Sequence, residues 1–306
     1  MKTYNGLIEI PNLSLALGFF DGLHQGHKVV IKNAVNYAKQ NGVESGVILF
    51  KEHPMSYIMR NYVKQLITLE DKMSMMEAIG VDNIILLDFD NTIANLSAQD
   101  YLKDILVKHF SPIAITTGFN HTFGANRLGN SEFLRSFQTK YKFRYFEIPP
   151  ITCNNVVSSS SSIRNAIMCG NLDLANSLLG YNFFIKSKVV QGQKIGRKID
   201  FPTANFAYPE NIVEIPTGVY LVEVDVEGET YRGIMNYGYR PTVDDDYNLH
   251  AEVHILDFSE DIYGKVIKVS FITKIRNEIK FKELSELKYQ IIKDLEFARS
   301  YKKPLI

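Results

Sequence analysis

Only two cysteines, Cys153 and Cys169, occur in 306 residues, and they form neither a CxxC pair nor a zinc-binding spacing. A disulfide-stapled secreted module and a structural zinc site are therefore not expected, and a reducing cytoplasm is the expected compartment. Charge of one sign is missing as well: 34 lysines and arginines balance 34 aspartates and glutamates, spread along the whole chain. That balance leaves no electrostatic footprint for nucleic acid or for an anionic membrane surface, so neither partner is expected. No apolar run approaches the roughly 20 residues needed to cross a bilayer, and the leading MKTYNGLIEIPN has no signal-peptide pattern. Repeats and low-complexity tracts are absent apart from the run Ser158 to Ser162. What remains, 45% hydrophobic and 22% charged residues, is the composition of an ordinary globular protein. Its length suits two domains at roughly 150 residues each.

The texture of the chain changes near Tyr181. Before it, short apolar runs alternate with helical patterns, a βαβ texture. Strands are expected at Leu15 to Phe20, Gly46 to Phe50, Asn83 to Leu87, Ile113 to Thr117 and Arg144 to Ile148. Their nearly continuous apolar character suits a parallel sheet covered on both faces. Helices are expected from near His27 to Asn41, after Thr68 as far as Gly80, after Ser97, and at Ser162 to Met168 and Leu172 to Leu179. After Tyr181 the period becomes two: Tyr220, Val222, Val224 and Val226 alternate with Leu221, Glu223 and Asp225, ahead of a Glu227-Gly228 turn. Further strands fit Phe184 to Val190, Thr230 to Asn236, His250 to Leu256 and Val266 to Thr273, enough for a small closed barrel that a helix from Ser285 to Tyr301 completes. The expected division is 1–182 and 183–306.

One chemical signal lies in GFFDGLHQGH, Gly18 to His27. A strand, a glycine turn and a helix start in succession make a phosphate-binding layout. Gly22 and Gly26 admit close backbone approach, and His24 and His27, three apart, can face one anion. The serine run Ser158 to Ser162 opens another helix of the same half, with Arg164 one turn in, and reads as a second phosphate clamp.

In the other half, QGQKIGRKIDFPTANF (Gln191 to Phe206) has a glycine loop through Gly192 and Gly196, then Pro202 ahead of Thr203 and Asn205. Those two are hard oxygen donors, which suit Mg²⁺ carrying substrate phosphates. Downstream, His250, Glu252 and His254 share one face of a strand, where Glu252 is either a solvated carboxylate or a general base.

GFFDGLHQGH, GFNHTFG (Gly118 to Gly124) and SSSSIR resemble the adenylyltransferase half of bacterial bifunctional riboflavin kinase/FAD synthetases, members of the HxGH nucleotidyltransferases. HxGH alone also suits pantetheine-phosphate or nicotinate-nucleotide adenylyltransferases. The second half resolves this: GRKIDFPTANF, PTGVY, GIMNYGYRPT, AEVHILDFSEDIYG and KFKELSELKYQIIKDLEFAR are similar, in family order, to the riboflavin kinase domain. The resemblance implies an α/β plus all-β protein: an N-terminal Rossmann-like HxGH nucleotidyltransferase domain and a C-terminal small β-barrel kinase domain with a terminal helix. It implies ATP-dependent phosphorylation of riboflavin to FMN and adenylylation of FMN to FAD with release of pyrophosphate. The implied partners are riboflavin, FMN and ATP with Mg²⁺, and the oligomeric state is left open.

Carried over residue by residue, the resemblance makes Thr203 and Asn205 metal ligands and Glu252 the base. Gly192, Gly196, Arg197 and Pro202 would line the nucleotide loop, and Asn236 and Arg240 the flavin and nucleotide pocket. His24, His27 and Arg164 would stabilise the adenylyl transfer. Gly18, Phe20, Asp21, Gly22, Gly26, His53, Asn120, Ser159, Ser160 and Ser161 would bind its nucleotides. The chain departs from the family pattern at Glu52 of the Glu52-His53-Pro54 triplet, at Ser161, at Asp200 before FPTAN, and at Val243 after RPT. Two alternatives stand beside this reading: an enzyme keeping one of the two activities, and a non-catalytic flavin- or RNA-binding regulator on the same scaffold.

Overall fold

The computed structural model describes residues 1–60, 63–192, 201–240, 248–281 and 283–302. The chain divides into two compact units, Met1–Ser160 and Ser161–Ile306.

The first unit is built on a six-stranded, all-parallel sheet in the order β1-β4-β3-β2-β5-β6. Its strands are β1 (Lys2–Asn5), β2 (Ser14–Leu17), β3 (Ser45–Phe50), β4 (Asn83–Leu87), β5 (Ala114–Gly118) and β6 (Arg144–Ile148). Period-two alternation on buried strands sends Leu15 and Leu17 to one face and Ala16 to the other. One face packs on Leu102, Leu106 and Phe110; the other packs on Val30, Ile31 and Val35 of helix α1 (Gln25–Asn41). The helix α2 (Pro54–Met59) is capped by His53, and α3 (Leu69–Ile79) starts where the Thr68 hydroxyl accepts the Asp71 amide at 3.2 Å, the cap expected from the sequence. The stretch after Ser97 widens from α-helix over Ala98–Asp100 to π-helix over Tyr101–Val107 and buries Leu102, Ile105 and Leu106 as expected. Helix α4 (Ser131–Tyr141) and the short hairpin β7 (Thr152–Cys153) and β8 (Val156–Val157) have no counterpart in the sequence reading. Going outward from β2, the order runs one way through β3 and the other through β5, so the sheet's switch point lies between β2 and β5. In parallel sheets the crevice at the strands' carboxyl ends there is the usual ligand position. The GFFDGLHQGH turn leaves the carboxyl end of β2, and Gly118 ends β5 beside it.

Helix α5 (Ser160–Met168) carries the chain across the seam, and α6 (Leu172–Leu179) follows inside the second unit. That unit is a closed antiparallel barrel of six strands in the order β10-β13-β12-β11-β14-β9. The strands are β9 (Phe184–Val190), β10 (Ala204–Phe206), β11 (Gly218–Val226), β12 (Glu229–Arg240), β13 (Asn248–Ile255) and β14 (Val266–Arg276). Closure removes the open edges a six-strand sheet would otherwise expose. Val226 pairs with Glu229 across the expected two-residue turn, where Glu227 and Gly228 take positive φ of 53° and 94°. Helix α7 (Leu284–Ser300) closes the unit, tied to β14 by Asp294, which accepts from the Arg276 guanidinium at 2.8 to 3.2 Å.

Candidate active sites

In the first unit, β2 ends at Leu17 and the chain turns sharply through Phe20, Gly22 and Leu23, which take positive φ of 56°, 75° and 36°. Two of these carry large side chains, a strained arrangement held because Phe20 and Leu23 are buried among Val30, Ile31 and Val35. The turn is also pinned by Asp21, whose Oδ1 accepts the Leu66 amide at 2.9 Å and whose carbonyl accepts the Ser160 hydroxyl at 2.9 Å.

Helix α1 then begins after His24, which makes no side-chain cap to it, at the carboxyl-end crevice. The His24 and His27 rings stack with centroids 3.6 Å apart, and Phe20 stands edge-on to His27 at 5.3 Å. Gly26 between the histidines keeps the packing loose: a Cβ there would lie 3.1 Å from the His24 ring, which would have to give by a few tenths of an ångström. His24 Nδ1 lies 3.2 Å from the Ser158 hydroxyl. His27 Nδ1 is buried with no hydrogen-bond partner among the described residues, an orphan that fits a phosphate oxygen.

Burial, with Lys28 nearby, pushes His24 down to about 4. Burial, His24 and Lys72 hold His27 well below the usual histidine value. Burial thus favours the neutral form of both rings, which can still act as hydrogen-bonding groups.

The other residues expected at this site are distributed as follows. Gly18 follows β2 directly, and exposed Asn120 lies just past the neighbouring carboxyl end of β5. His53 accepts the Met55 amide through Nδ1 at 3.1 Å and packs edge-on to Phe19 at 4.4 Å, which draws the Glu52-His53-Pro54 segment to the turn. Ser159 is half-buried ahead of α5, and Ser161 is exposed in its first turn. Arg164 lies one turn along that helix, in the second unit and half-buried. Sequence reasoning missed Ser158 as a histidine partner, and it missed Phe19 and Lys72 altogether. The Ser158 to Ser162 run itself was the available signal for the first.

In the second unit the barrel register makes the site. Antiparallel pairing sets Glu252 of β13 directly opposite Asn205 of β10 on one side and Asn236 of β12 on the other. Directly opposed residues point to the same face with Cβ atoms about 5 Å apart, so these three side chains form one row. Thr203 joins it, its hydroxyl donating to Glu252 Oε2 at 3.0 Å. Ala251, Val253 and Ile255 are buried while His250, Glu252 and His254 are half-buried, so the expected alternation holds but the polar face is not simply solvated. His254 Nδ1 lies 2.8 Å from the Pro202 carbonyl and fixes the segment that presents Thr203. Gly192 is required by close approach, since a Cβ there would stand 2.4 Å from Asn205 Nδ2. Thr203 also borders a cavity of about 380 Å³ walled by Val189, Pro202 and the loop from Phe258 to Tyr263, a loop in which no single residue is marked by a local sequence pattern. Gly196, Arg197, Asp200 and Val243 lie outside the described residues, and Arg240 ends β12.

No cluster of three or more His, Cys, Asp or Glu side chains fit to hold a metal occurs among the described residues. The donors available for Mg²⁺ are of another kind. Thr203 gives its proton to Glu252 and keeps both lone pairs on a hard oxygen, and the Asn205 carboxamide stands in the same row. Few protein ligands with room for phosphates is what this ion prefers.

Family models named FAD synthetase and riboflavin kinase match residues 9–162 and 179–302. Curated bifunctional riboflavin kinase/FMN adenylyltransferases are similar along nearly the whole chain. The one from Haemophilus influenzae is 37% identical over 300 residues, 97% of each chain. The one from Listeria monocytogenes is 38% identical over 299 residues, covering 95% of this chain and 92% of the relative. This chain belongs to the bifunctional riboflavin kinase/FMN adenylyltransferase family. It therefore carries a FAD synthetase domain and a riboflavin kinase domain in one polypeptide. A solved structure from Streptococcus pneumoniae, described as a macrolide-efflux protein, superposes with a TM-score of 0.89 over 98% of this chain and 99% of that one, at 29% identity. Among the described residues no helix is long and apolar enough to cross a membrane.

Proposed function

We propose that the barrel unit phosphorylates riboflavin with ATP to give FMN and ADP, and that the parallel-sheet unit transfers an adenylyl group from a second ATP to FMN, giving FAD and pyrophosphate. The observation that carries this reading is the convergence of Thr203, Asn205 and Asn236 on Glu252. The kinase nucleophile is the ribityl 5′-hydroxyl, a neutral alcohol that must lose a proton, and Glu252 is the carboxylate positioned to take it. The Thr203 hydroxyl orients that carboxylate by donating to Oε2. Thr203 and Asn205 would hold Mg²⁺, which neutralises charge between the ATP phosphates. Asn236 stands opposite Glu252 in the same row and would shape the flavin side of the pocket.

Adenylyl transfer needs no base, because the attacking FMN phosphate is largely dianionic at pH 7, its second pKa being about 6. The crevice at the β2 and β5 ends has to orient two phosphates and stabilise the charge that develops on the leaving pyrophosphate. His24 and His27 supply hydrogen-bonding groups, and Ser159 and Ser160, the latter held on the Asp21 carbonyl, would contact phosphate beside them. A cytoplasmic location is supported by Cys153 and Cys169, neither of which forms a disulfide.

Incubation with riboflavin and Mg-ATP, then separately with FMN and Mg-ATP, followed by chromatography, tests both halves. The expected products are FMN and FAD in the first mixture and FAD in the second. Absence of both products would overturn the reading.

A further inference from the structure

Lys72 lies one turn into α3 on its inner face, beside Met76, and is only 1% exposed. Its Nζ donates to the Phe19 carbonyl at 3.1 Å and stands 4.0 Å from the centre of the Phe19 ring, whose other neighbour is His53. Among the described residues that carbonyl is its one hydrogen-bond acceptor. A buried ammonium with a single acceptor is a costly residue, since a methionine of similar length would fill the space without desolvating a charge. It sits behind the FFDGL turn, which also holds the buried carboxylate of Asp21. A cation near that carboxylate lowers its repulsion of a bound polyphosphate.

We propose that Lys72 is a positioning residue for adenylyl transfer: its ammonium holds the Phe19–Asp21 turn from behind, balances Asp21, and provides the fixed positive charge that His24 and His27 do not. The titratable groups whose charge couples to it are Asp21 from the turn, which favours the ammonium, and His27 from α1. Burial draws Lys72 down to about 8, against the opposing pull of Asp21. The charge is therefore present at neutral pH and is lost as pH rises through about 8.

The inference rests on assigning the His24–His27 turn to adenylyl transfer, and one assay series separates the two. FAD formation from supplied FMN and Mg-ATP is measured for wild type, Lys72→Met, Lys72→Arg and His27→Ala, with riboflavin phosphorylation by the same polypeptides as the check on integrity. Lys72→Met should lower kcat for FAD formation roughly 10- to 100-fold, the range for removing a charged hydrogen-bonding group, with a smaller change in the KM for FMN. Lys72→Arg should restore most of the rate. The wild-type rate should fall between about pH 7 and 9.5, and that fall should vanish with arginine, which stays charged throughout. Lys72→Met within twofold of wild type, or Lys72→Arg as impaired as Lys72→Met, overturns the proposal. Should the methionine variant unfold the first unit, the wild-type profile decides, and a flat rate across that range overturns it. Full activity in His27→Ala would instead remove the site assignment itself.

Discussion

His24 and His27 stack closely enough that two imidazolium rings would repel, and burial already disfavours charge on either. A neutral pair offers hydrogen-bonding groups, which suits a site that orients phosphates without proton transfer. His27→Ala should therefore lower FAD formation from supplied FMN roughly 10²-fold or more, the scale for one preorganised donor, and leave FMN formation from riboflavin unchanged. Retained adenylylation would reduce His27 to a helix-start residue. Burial has a consequence for stability too. His121, stacked on Phe123, is pushed down to about 4 like His24. Histidines that stay neutral when folded but protonate when unfolded stabilise fully above the unfolded value of about 6.5, and that contribution is lost as pH falls toward 4. At pH 5 each should have given up about 2 kcal/mol. Urea unfolding of the first unit at pH 7 and pH 5 measures the loss, and His121→Phe should make it smaller. An unchanged midpoint would contradict the burial of these rings. HxGH was legible because its meaning lies in three-residue spacing and one glycine. Ser158 and Lys72 were not, because they meet the turn from 134 and 53 residues away, and no local pattern encodes such contacts.

At the scale of elements, the kinase row exists because three strands pair in one register. The alternation of β13 was readable from His250 to Ile255, since period two follows from strand geometry alone. Its neighbours were less so: β10 spans only Ala204–Phe206 and follows a proline, so it read as loop rather than strand. Which residue opposes Glu252 is decided by barrel closure, a long-range outcome. The helices whose caps and stops are local, such as α3 between Thr68 and Gly80, were foreseen, whereas the π-helical widening at Tyr101–Val107 was not. Glu252→Gln tests the row. The amide keeps the shape and can still accept from Thr203, but it is no longer a base. Riboflavin phosphorylation should fall roughly 10²- to 10⁴-fold in kcat with a much smaller change in the KM for riboflavin, and FAD formation from supplied FMN should be untouched. Near-normal FMN production by the folded variant would return Glu252 to the role of a solvated strand residue.

At the scale of the whole molecule, the change of texture near Tyr181 and the packing of the chain mark different places. The sequence period switches where the barrel strands begin, but α6 precedes that point and packs on β14. Leu172, Leu178 and Leu179 are buried, and Asn176 accepts the Phe183 amide at 2.7 Å while donating to the Phe271 carbonyl at 2.9 Å. Each fully buried leucine contributes about 1.5 to 3 kcal/mol, and a whole domain is stable by only about 5 to 15 kcal/mol. A fragment of residues 161–306 should therefore fold and phosphorylate riboflavin on its own. A fragment of residues 183–306 lacks α6, bares Phe183 and Phe271, and leaves the Phe183 amide without its carboxamide partner, so it should lose most of its resistance to urea. Side-by-side unfolding of the two fragments, with FMN formation as the functional readout, distinguishes the cuts. Equal midpoints and equal activity would show that α6 rests on the barrel without supporting it, and that the kinase domain begins where the period of the sequence changes.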